Sequence, residues 1–504
     1  MSLLAVDMGS SSCKAIAFSA DGRALVQKAR SYPPPESRHP SWAEMPAENF
    51  WRALVEVVQS IAAKVMHDPV EVLAISSHGE TFVPVDSQGR AVAAAILNID
   101  NRAVAEANWL SETVGKQRLF EITGQAPHPM YPAAKILWLR KHEPDVYASA
   151  ACFVALPSYL LGRLGLPPYV DYSLASRFLT FDICQHAWSA EILSLCRLEP
   201  QQLPQPVAAG TVAGELLPDI AGQLGLRPGT MVVVGGHDQP CGALGSGVLE
   251  SGRISASLGT YECLVAVSHA PVLNTRAYDF NLNSYCHVVP DRYVTLAYFP
   301  AGIMMEWFLR LIASPGELGA QEVGEVCVRL EAETCSGPSG LCIAPHLLGT
   351  CNPDFNPHAS GVITGIRPTT SRADLYKGIL EGIACEFALM SELLWNAAEA
   401  YQDVYVSGGG ANSPLGLKLR AAISGRRLHV MKCQEAVCLG TAILAGVAAH
   451  QYRSVEEGVE QTVRVSKTIA PDAALAESYK AQVSQYRTLY SSLATLRRSQ
   501  GTQN

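Results

Sequence analysis

The sequence predicts two α/β domains, each a mixed sheet flanked by helices, with a cleft between them. Three observations carry this fold class. The chain has 504 residues, too many for one ordinary hydrophobic core. Apolar strand-like runs end in glycine-rich turns: residues 3–6 before Asp7-Met8-Gly9-Ser10-Ser11-Ser12, residues 254–258 before Gly259-Thr260, and residues 404–407 before Gly408-Gly409-Gly410-Ala411. The pattern of strand, glycine–hydroxyl turn and strand also restarts near residues 247–252. That weak echo divides the chain into domains of similar plan over 1–247 and 248–504.

The elements follow in order. Residues 3–7 and 14–19 read as strands, and Asp21-Gly22 signals a hairpin turn. Residues 47–66 carry apolar side chains at helical spacing. Residues 72–76 form a short buried strand that ends in Ser77-His78-Gly79-Glu80-Thr81, and a further strand follows at 82–85 before turn residues 86–89. The strongly apolar strand 231–234 runs into Gly235-Gly236-His237-Asp238-Gln239, and 241–248 begins a small-residue helix. Residues 254–267 repeat the opening hairpin, 375–400 are helical, and 439–449 form a small-residue helix near the third glycine turn. The tail 469–504 is more polar, helical at first and disordered in character over 498–504.

Composition excludes several classes. With 48% hydrophobic and 17% charged residues the balance is globular. A net charge of −8 argues against a nucleic-acid partner or an anionic membrane surface. A local nest of backbone N–H groups can still hold phosphate in an acidic protein. The 14 cysteines form no CxxC pair, which suits reduced thiols in a cytoplasmic protein better than a disulfide scaffold or a zinc site. Asp7 interrupts the first apolar stretch, and no run of about 18 apolar residues offers a membrane span. There is no GxxxxGK[ST] loop, no GxGxxG after the first strand, no HExxH and no GxSxG.

The remaining motifs carry chemistry, each with a plainer alternative. Asp7, at a strand end before Gly-Ser-Ser, suits Mg²⁺ held through water beside a nucleotide phosphate, with Lys14 in reach of the same phosphates; alone, the segment is equally a tight hairpin. Asp238, after a buried strand and two glycines, suits a general base aimed into a cleft, with Gln239 orienting a hydroxyl; alone, it is an Asx-turn cap. His78 and Glu80 can hydrogen-bond sugar or polyol hydroxyls, and Asn98, Asp100 and Arg102 can line the same pocket; alone, they are a solvated loop. Gly259-Thr260 and Gly408–Gly410, with Asn412 and Ser413, can hold a nucleotide; alone, each is a tight turn.

Taken together, the order of elements resembles the FGGY carbohydrate kinases of the actin–hexokinase superfamily, over nearly the whole chain. Asp7-Met8-Gly9-Ser10-Ser11 resembles the family's first phosphate motif, Gly235-Gly236-His237-Asp238-Gln239 its catalytic segment, Gly259-Thr260 its second phosphate motif and Gly408-Gly409-Gly410-Ala411 its adenosine motif. The second family signature is similar to Gly361-Val362-Ile363-Thr364-Gly365-Ile366, seven residues, Asp374-Leu375, then Gly378-Ile379-Leu380-Glu381, with Gly378 departing from the usual Ala or Ser.

The resemblance implies two ribonuclease-H-like domains with an interdomain cleft and an ATP-dependent sugar kinase. Asp238 is then the catalytic base and Asp7 the Mg²⁺ site. ATP falls to Gly9, Ser10, Ser11, Lys14, Gly259, Thr260, Gly302, Gly409, Gly410 and Ser413, and the sugar to His78, Glu80, Asn98, Asp238 and Gln239. Xylulokinases have Met-His where this chain has Gly79-Glu80, and Asp-Asn where it has Asp238-Gln239. Glycerol kinases have Arg-Glu and Asp-Gln there, and Trp in place of Asn98. The pocket is a hybrid, so a pentulose such as D-xylulose is the first expectation. Another ketose or polyol, of the glycerol or erythritol type, is the next, and a catalytically silent sugar- or nucleotide-binding regulator is the rival. The oligomeric state, a homodimer included, stays open.

Overall fold

The protein is described by a computed structural model covering residues 2–312 and 320–500. Its first sheet is built on β1 (Ser2–Met8), buried along almost its whole length because helices cover both faces. β1 pairs antiparallel with β2 (Ser12–Phe18), and β2 with β3 (Ala24–Ser31). On its other side β1 runs parallel to β4 (Val70–Ser77). The antiparallel edge strand β5 (Val212–Glu215) lies beyond β6 (Met231–His237), which runs parallel to β4. The order is β5-β6-β4-β1-β2-β3.

The second sheet repeats this plan. β7 (Arg253–Leu258) pairs antiparallel with β8 (Tyr261–Ser268). Beyond β8, on the edge, β9 (Asn283–Cys286) flanks β10 (Tyr293–Pro300). On the other side β11 (Asp403–Ser407) and β12 (Arg427–Met431) run parallel to β7, and β13 (Val465–Ile469) closes the sheet antiparallel. The order is β9-β10-β8-β7-β11-β12-β13. Each sheet is thus an antiparallel meander joined to two parallel strands and an antiparallel edge. The echo heard in the sequence is a shared topology.

Three expectations shift. The strand expected at 231–234 continues to His237, and the next helix, α2 (Asp238–Gly245), starts three residues earlier than expected. Gly235 and Gly236 therefore lie inside the strand. A Cβ on Gly235 would sit 2.2 Å from the Ile75 carbonyl oxygen, and one on Gly236 2.3 Å from Val288 Cγ1. These glycines permit close approach of neighbours; they do not loosen the backbone. The helix expected over 47–66 is shorter: α1 (Ala47–Ala62) buries Phe50, Leu54, Val57, Val58 and Ile61 on one stripe. The strand Phe82–Val85 belongs to a separate four-stranded sheet with Glu44–Met45, Ala95–Ile96 and Cys152–Ala155.

The remaining helices that bear on the site are α3 (Gly302–Ile312), α4 (Arg372–Ala397), α5 (Pro414–Ser424), α6 (Ala436–Ala448) and α7 (Ala473–Gln500). α4 opens with a reciprocal cap between Ser371 and Asp374. The tail expected to be disordered over 498–504 is helical to residue 500, and 501–504 lie outside the described residues. None of the described helices is long and apolar enough to cross a membrane.

The halves are not independent cores. α6 comes late in the chain yet packs against β1, β4 and β6 of the first sheet and against α2. Its small residues are the reason. A Cβ on Gly440 would lie 1.9 Å from the Cys241 carbonyl oxygen, and one on Gly245 would lie 1.9 Å from that of Ala436. A second shared core joins Phe82, Leu119 and Phe178 of the first half to Val265, Tyr285 and Leu296 of the second.

Candidate active site

The chemistry-bearing segments converge at the carboxyl ends of the strands, where open α/β sheets collect their ligands. Gly9–Ser11 join β1 to β2, Gly259-Thr260 join β7 to β8, Gly408 follows β11, and Asp238 follows β6. Strand ends meet here because parallel neighbours finish together while their connections diverge.

Asp238 is the first residue of α2. Its Oδ1 is buried and accepts no hydrogen bond; His237 Nε2 is 3.2 Å away, but out of hydrogen-bonding alignment. Burial raises the Asp238 carboxyl to about 8, and the negative charges of Asp7 and Glu80 add to the shift. Asp7 is raised to about 6, chiefly by burial, against the opposing pull of Lys14 and a 3.3 Å hydrogen bond donated by Ser76 Oγ. Two neighbouring carboxylates that resist ionisation, one with an orphaned oxygen, are a donor set suited to a hard divalent cation. No group of three or more His, Cys, Asp or Glu side chains able to hold a metal occurs among the described residues. Such a cation would therefore draw most of its ligands from water and phosphate oxygens. His237 is held neutral, well below its ordinary range, by burial first and by Arg177 and His78 next. Its Nδ1 meets Tyr285 Oη at 2.9 Å.

The second and third phosphate-type turns are stacked on one another. Ser10, Ser11, Gly259, Thr260 and Gly409 are exposed. The Gly302 N–H donates to the Gly259 carbonyl (3.2 Å), and the Ala301 N–H donates to that of Thr260 (3.0 Å). A Cβ on Gly302 would lie 2.5 Å from the Gly259 oxygen, so the start of α3 pins the second turn from beneath. Gly408 has φ +91°, and a Cβ there would lie 2.9 Å from the Leu258 carbonyl oxygen; Gly410 approaches Leu258 Cβ as closely. The third turn therefore sits directly on the second. Replacing Gly302 by alanine displaces Gly259 and is expected to raise KM for ATP about tenfold, with KM for sugar little changed. Steady-state kinetics with each substrate varied in turn checks this.

Two residues assigned to ATP have their side chains committed elsewhere. Lys14 Nζ lies 2.5 Å from Glu435 Oε2, at the start of α6. A phosphate would have to compete with that carboxylate. Ser413 caps α5 by accepting from the Gly416 N–H and donates to Glu331 Oε1 at 2.6 Å. Its hydroxyl is thus spent, and backbone groups are what Ser413 has left to offer.

The sugar side also differs from expectation. Both ring nitrogens of His78 are used: Nδ1 meets the Met8 carbonyl and Nε2 the Thr81 hydroxyl, each at 2.7 Å. His78 ties the end of β1 to the following loop and has no nitrogen left for a hydroxyl. The half-buried Asn98 reaches the same Thr81 oxygen only through its backbone N–H, at 3.0 Å. Asp100 and Arg102 form a closed structural cluster. Asp100 accepts from the Ala43 N–H and from Arg102, which also pairs with Glu44 and covers the rings of Trp42 and Trp138. Gln239 Oε1 accepts from Ser257 Oγ at 3.4 Å, and the Gln239 side chain also hydrogen-bonds the Asp238 carboxyl.

Glu80 adopts φ +61°, a left-handed conformation that costs a non-glycine residue about 1 kcal/mol or more. Its Oε1 receives both Nε and Nη2 of Arg177, a buried ion pair. Arg177 Nη1 donates to Gln125 Oε1 at 2.8 Å, and the guanidinium lies 5.3 Å from the ring centre of Tyr131 and 5.0 Å from that of Tyr285. Tyr131 donates to Gln125 and reaches Asn283 of β9, so this network crosses from one half to the other. The sequence reading missed Arg177, Gln125, Tyr131 and Tyr285. The one local signal was a lone arginine in the otherwise apolar or small run 173–179, which demands a buried counter-charge.

Comparison with known proteins gives the family and the fold. The family model for the N-terminal domain of the FGGY carbohydrate kinases matches residues 2–245, and that for the C-terminal domain matches 254–449. A xylulose kinase of Escherichia coli (strain K12) is 27% identical over 98% of this chain and 99% of its own. A xylulose kinase of Bacillus subtilis (strain 168) is 26% identical over 97% and 96%. A crystal structure of a gluconate kinase from Lactobacillus acidophilus superimposes with a TM-score of 0.86 at 19% identity, covering 98% of each chain, and shares the fold.

Proposed function

The chain belongs to the FGGY family of carbohydrate kinases, and on that premise we propose that it phosphorylates a hydroxyl of a pentulose such as D-xylulose. It is a sugar kinase. FGGY sugar kinases use ATP, generally with Mg²⁺, and the donor set at Asp7 and Asp238 fits such a cation. The observation that carries the reading is Asp238: a carboxylate at a strand end, with one buried oxygen lacking any partner. That oxygen accepts the proton of the attacking sugar hydroxyl. Gln239, hydrogen-bonded to the Asp238 carboxyl, steadies the base and orients the hydroxyl there. Asp7 holds Mg²⁺ beside the phosphates, and the turns at Gly9–Ser11, Gly259-Thr260 and Gly408–Gly410 donate N–H groups to them. When bound, ATP·Mg²⁺ supplies the phosphoryl group and neutralises the charge on it. Residues 1–247 contribute the base and most of the sugar site, and 248–504 most of the nucleotide site. Closure of one half on the other excludes water from the transfer.

Xylulose is preferred because the named relatives act on it by their names and match the chain from end to end. The test is ADP release with ATP·Mg²⁺ against pentuloses, hexuloses, polyols, glycerol and gluconate. Stimulation by xylulose supports the proposal; stimulation by glycerol or gluconate alone overturns the substrate. Release that needs no sugar overturns the kinase role of Asp238.

The raised carboxyl of Asp238 also sets a pH dependence. A base must be ionised to act, so kcat/KM is expected to rise with pH until about 8, the value in the free enzyme. Mg²⁺ beside the carboxylate favours its ionised form, so the corresponding limb in kcat falls at lower pH. Identical limbs in both profiles would contradict this.

A further inference from the structure

Gly79 and Arg177 are shaped to each other. A Cβ on Gly79 would lie 3.0 Å from Arg177 Cγ and 3.1 Å from His237 Nε2. The absent side chain is what lets the arginine lie against this loop and reach Glu80. Both its Nε and its Nη2 go to Oε1 of Glu80, and Oε2 accepts from no described residue.

The charges around the base are then unequal. Glu80 and Asp238 flank His237, whose Nε2 lies 3.2 Å from Asp238 Oδ1 and 3.1 Å from where a Cβ on Gly79 would stand, so the Glu80 loop lies against the base. Two of the nearby cations are paired, Arg177 with Glu80 and Lys14 with Glu435, and the buried Lys135, which burial lowers to about 7, donates to the Leu97 carbonyl at 2.6 Å. A neutral sugar meets this site with hydroxyl donors that Glu80 Oε2 can accept. A sugar acid meets carboxylates and no unengaged cation.

We infer that the Glu80–Arg177 pair is a charge filter, which admits uncharged polyols and ketoses and turns away sugar acids. Arg177 acts through Glu80 and is a positioning residue; Glu80 is the group that meets substrate. The inference rests on the proposed sugar site in residues 1–247, to which the family resemblance assigns Glu80.

The test compares xylitol with xylonate, which differ only in CH₂OH against carboxylate at one end. Calorimetric titration of the wild-type protein is expected to show xylitol bound about tenfold more tightly or better. Equal affinity, or tighter binding of xylonate, overturns the filter. In Glu80→Gln the shape is kept and the Arg177 charge is left uncompensated. The ratio of xylonate to xylitol affinity is then expected to rise about tenfold, with ATP affinity unchanged. A parallel loss of both ligands, as a purely structural role predicts, overturns it. Should that variant fail to fold, the wild-type comparison decides alone. The two readings fail separately: no sugar-stimulated ADP release anywhere in the panel removes the substrate assignment, whereas an active enzyme that prefers the acid removes only the filter.

Discussion

Asp238→Asn is expected to lower kcat by about 10³-fold while leaving ATP affinity nearly intact. The amide keeps the shape but cannot take the hydroxyl proton. Near-normal turnover in that variant would remove Asp238 as the base. The same substitution is expected to stabilise the protein without ligand, and the sign follows from linkage. The folded-state carboxyl is raised from 3.8 to about 8, so folding disfavours its ionised form. Below about pH 4 both folded and unfolded chains carry the proton, and the site costs nothing. From about 4 to 8 the unfolded chain ionises first, so the wild-type protein loses stability over that window. The amide variant escapes this loss. Its melting midpoint should match the wild type near pH 4.5 and exceed it by a few degrees at pH 8. A constant offset at all pH values would show that Asp238 is not held neutral. Activity at this position is thus bought with stability.

Arg177→Ala is expected to give the largest loss of stability, about 3–5 kcal/mol. The side chains of Arg177 and Glu80 are 3% and 5% exposed, so the variant leaves a carboxylate buried and unpaired. It also empties the space between the rings of Tyr131 and Tyr285, in the core that joins the two halves. Thermal denaturation followed by calorimetry measures the effect. The double variant Arg177→Met with Glu80→Gln should recover most of the loss, because the unpaired charge is gone and the volume is refilled. A double variant no more stable than Arg177→Ala would overturn the unpaired carboxylate and the lost volume as the causes.

The central strands of each sheet and the turns that end them were legible in the sequence, whereas edge strands such as β3, β5, β9 and β13 were not. Asp7, Asp238, Gly259 and Gly408 were legible because each stands at the end of an apolar strand, where local spacing is enough to mark a strand end. The repeated plan was audible for the same reason, and the two sheets, of six and seven strands, share an antiparallel meander joined to two parallel strands and an antiparallel edge. Which side chains remain free at the site emerged only from the folded arrangement. His78, Lys14 and Ser413 look available in the sequence, yet each is spent on a partner, Lys14 and Ser413 on residues more than eighty positions away. Conversely, Arg177 was hidden in an apolar run, and its meaning came from Glu80, ninety-seven residues earlier. Glycines gave the same lesson. Gly235 and Gly236 read as the turn that follows a strand, but the strand runs through them and contacts with Ile75 and Val288 make them points of close packing. Strand periodicity and turn chemistry are local properties of a chain. Burial, charge pairing and steric clearance are properties of neighbours brought together by folding, and they appear only when the two halves are seen in contact.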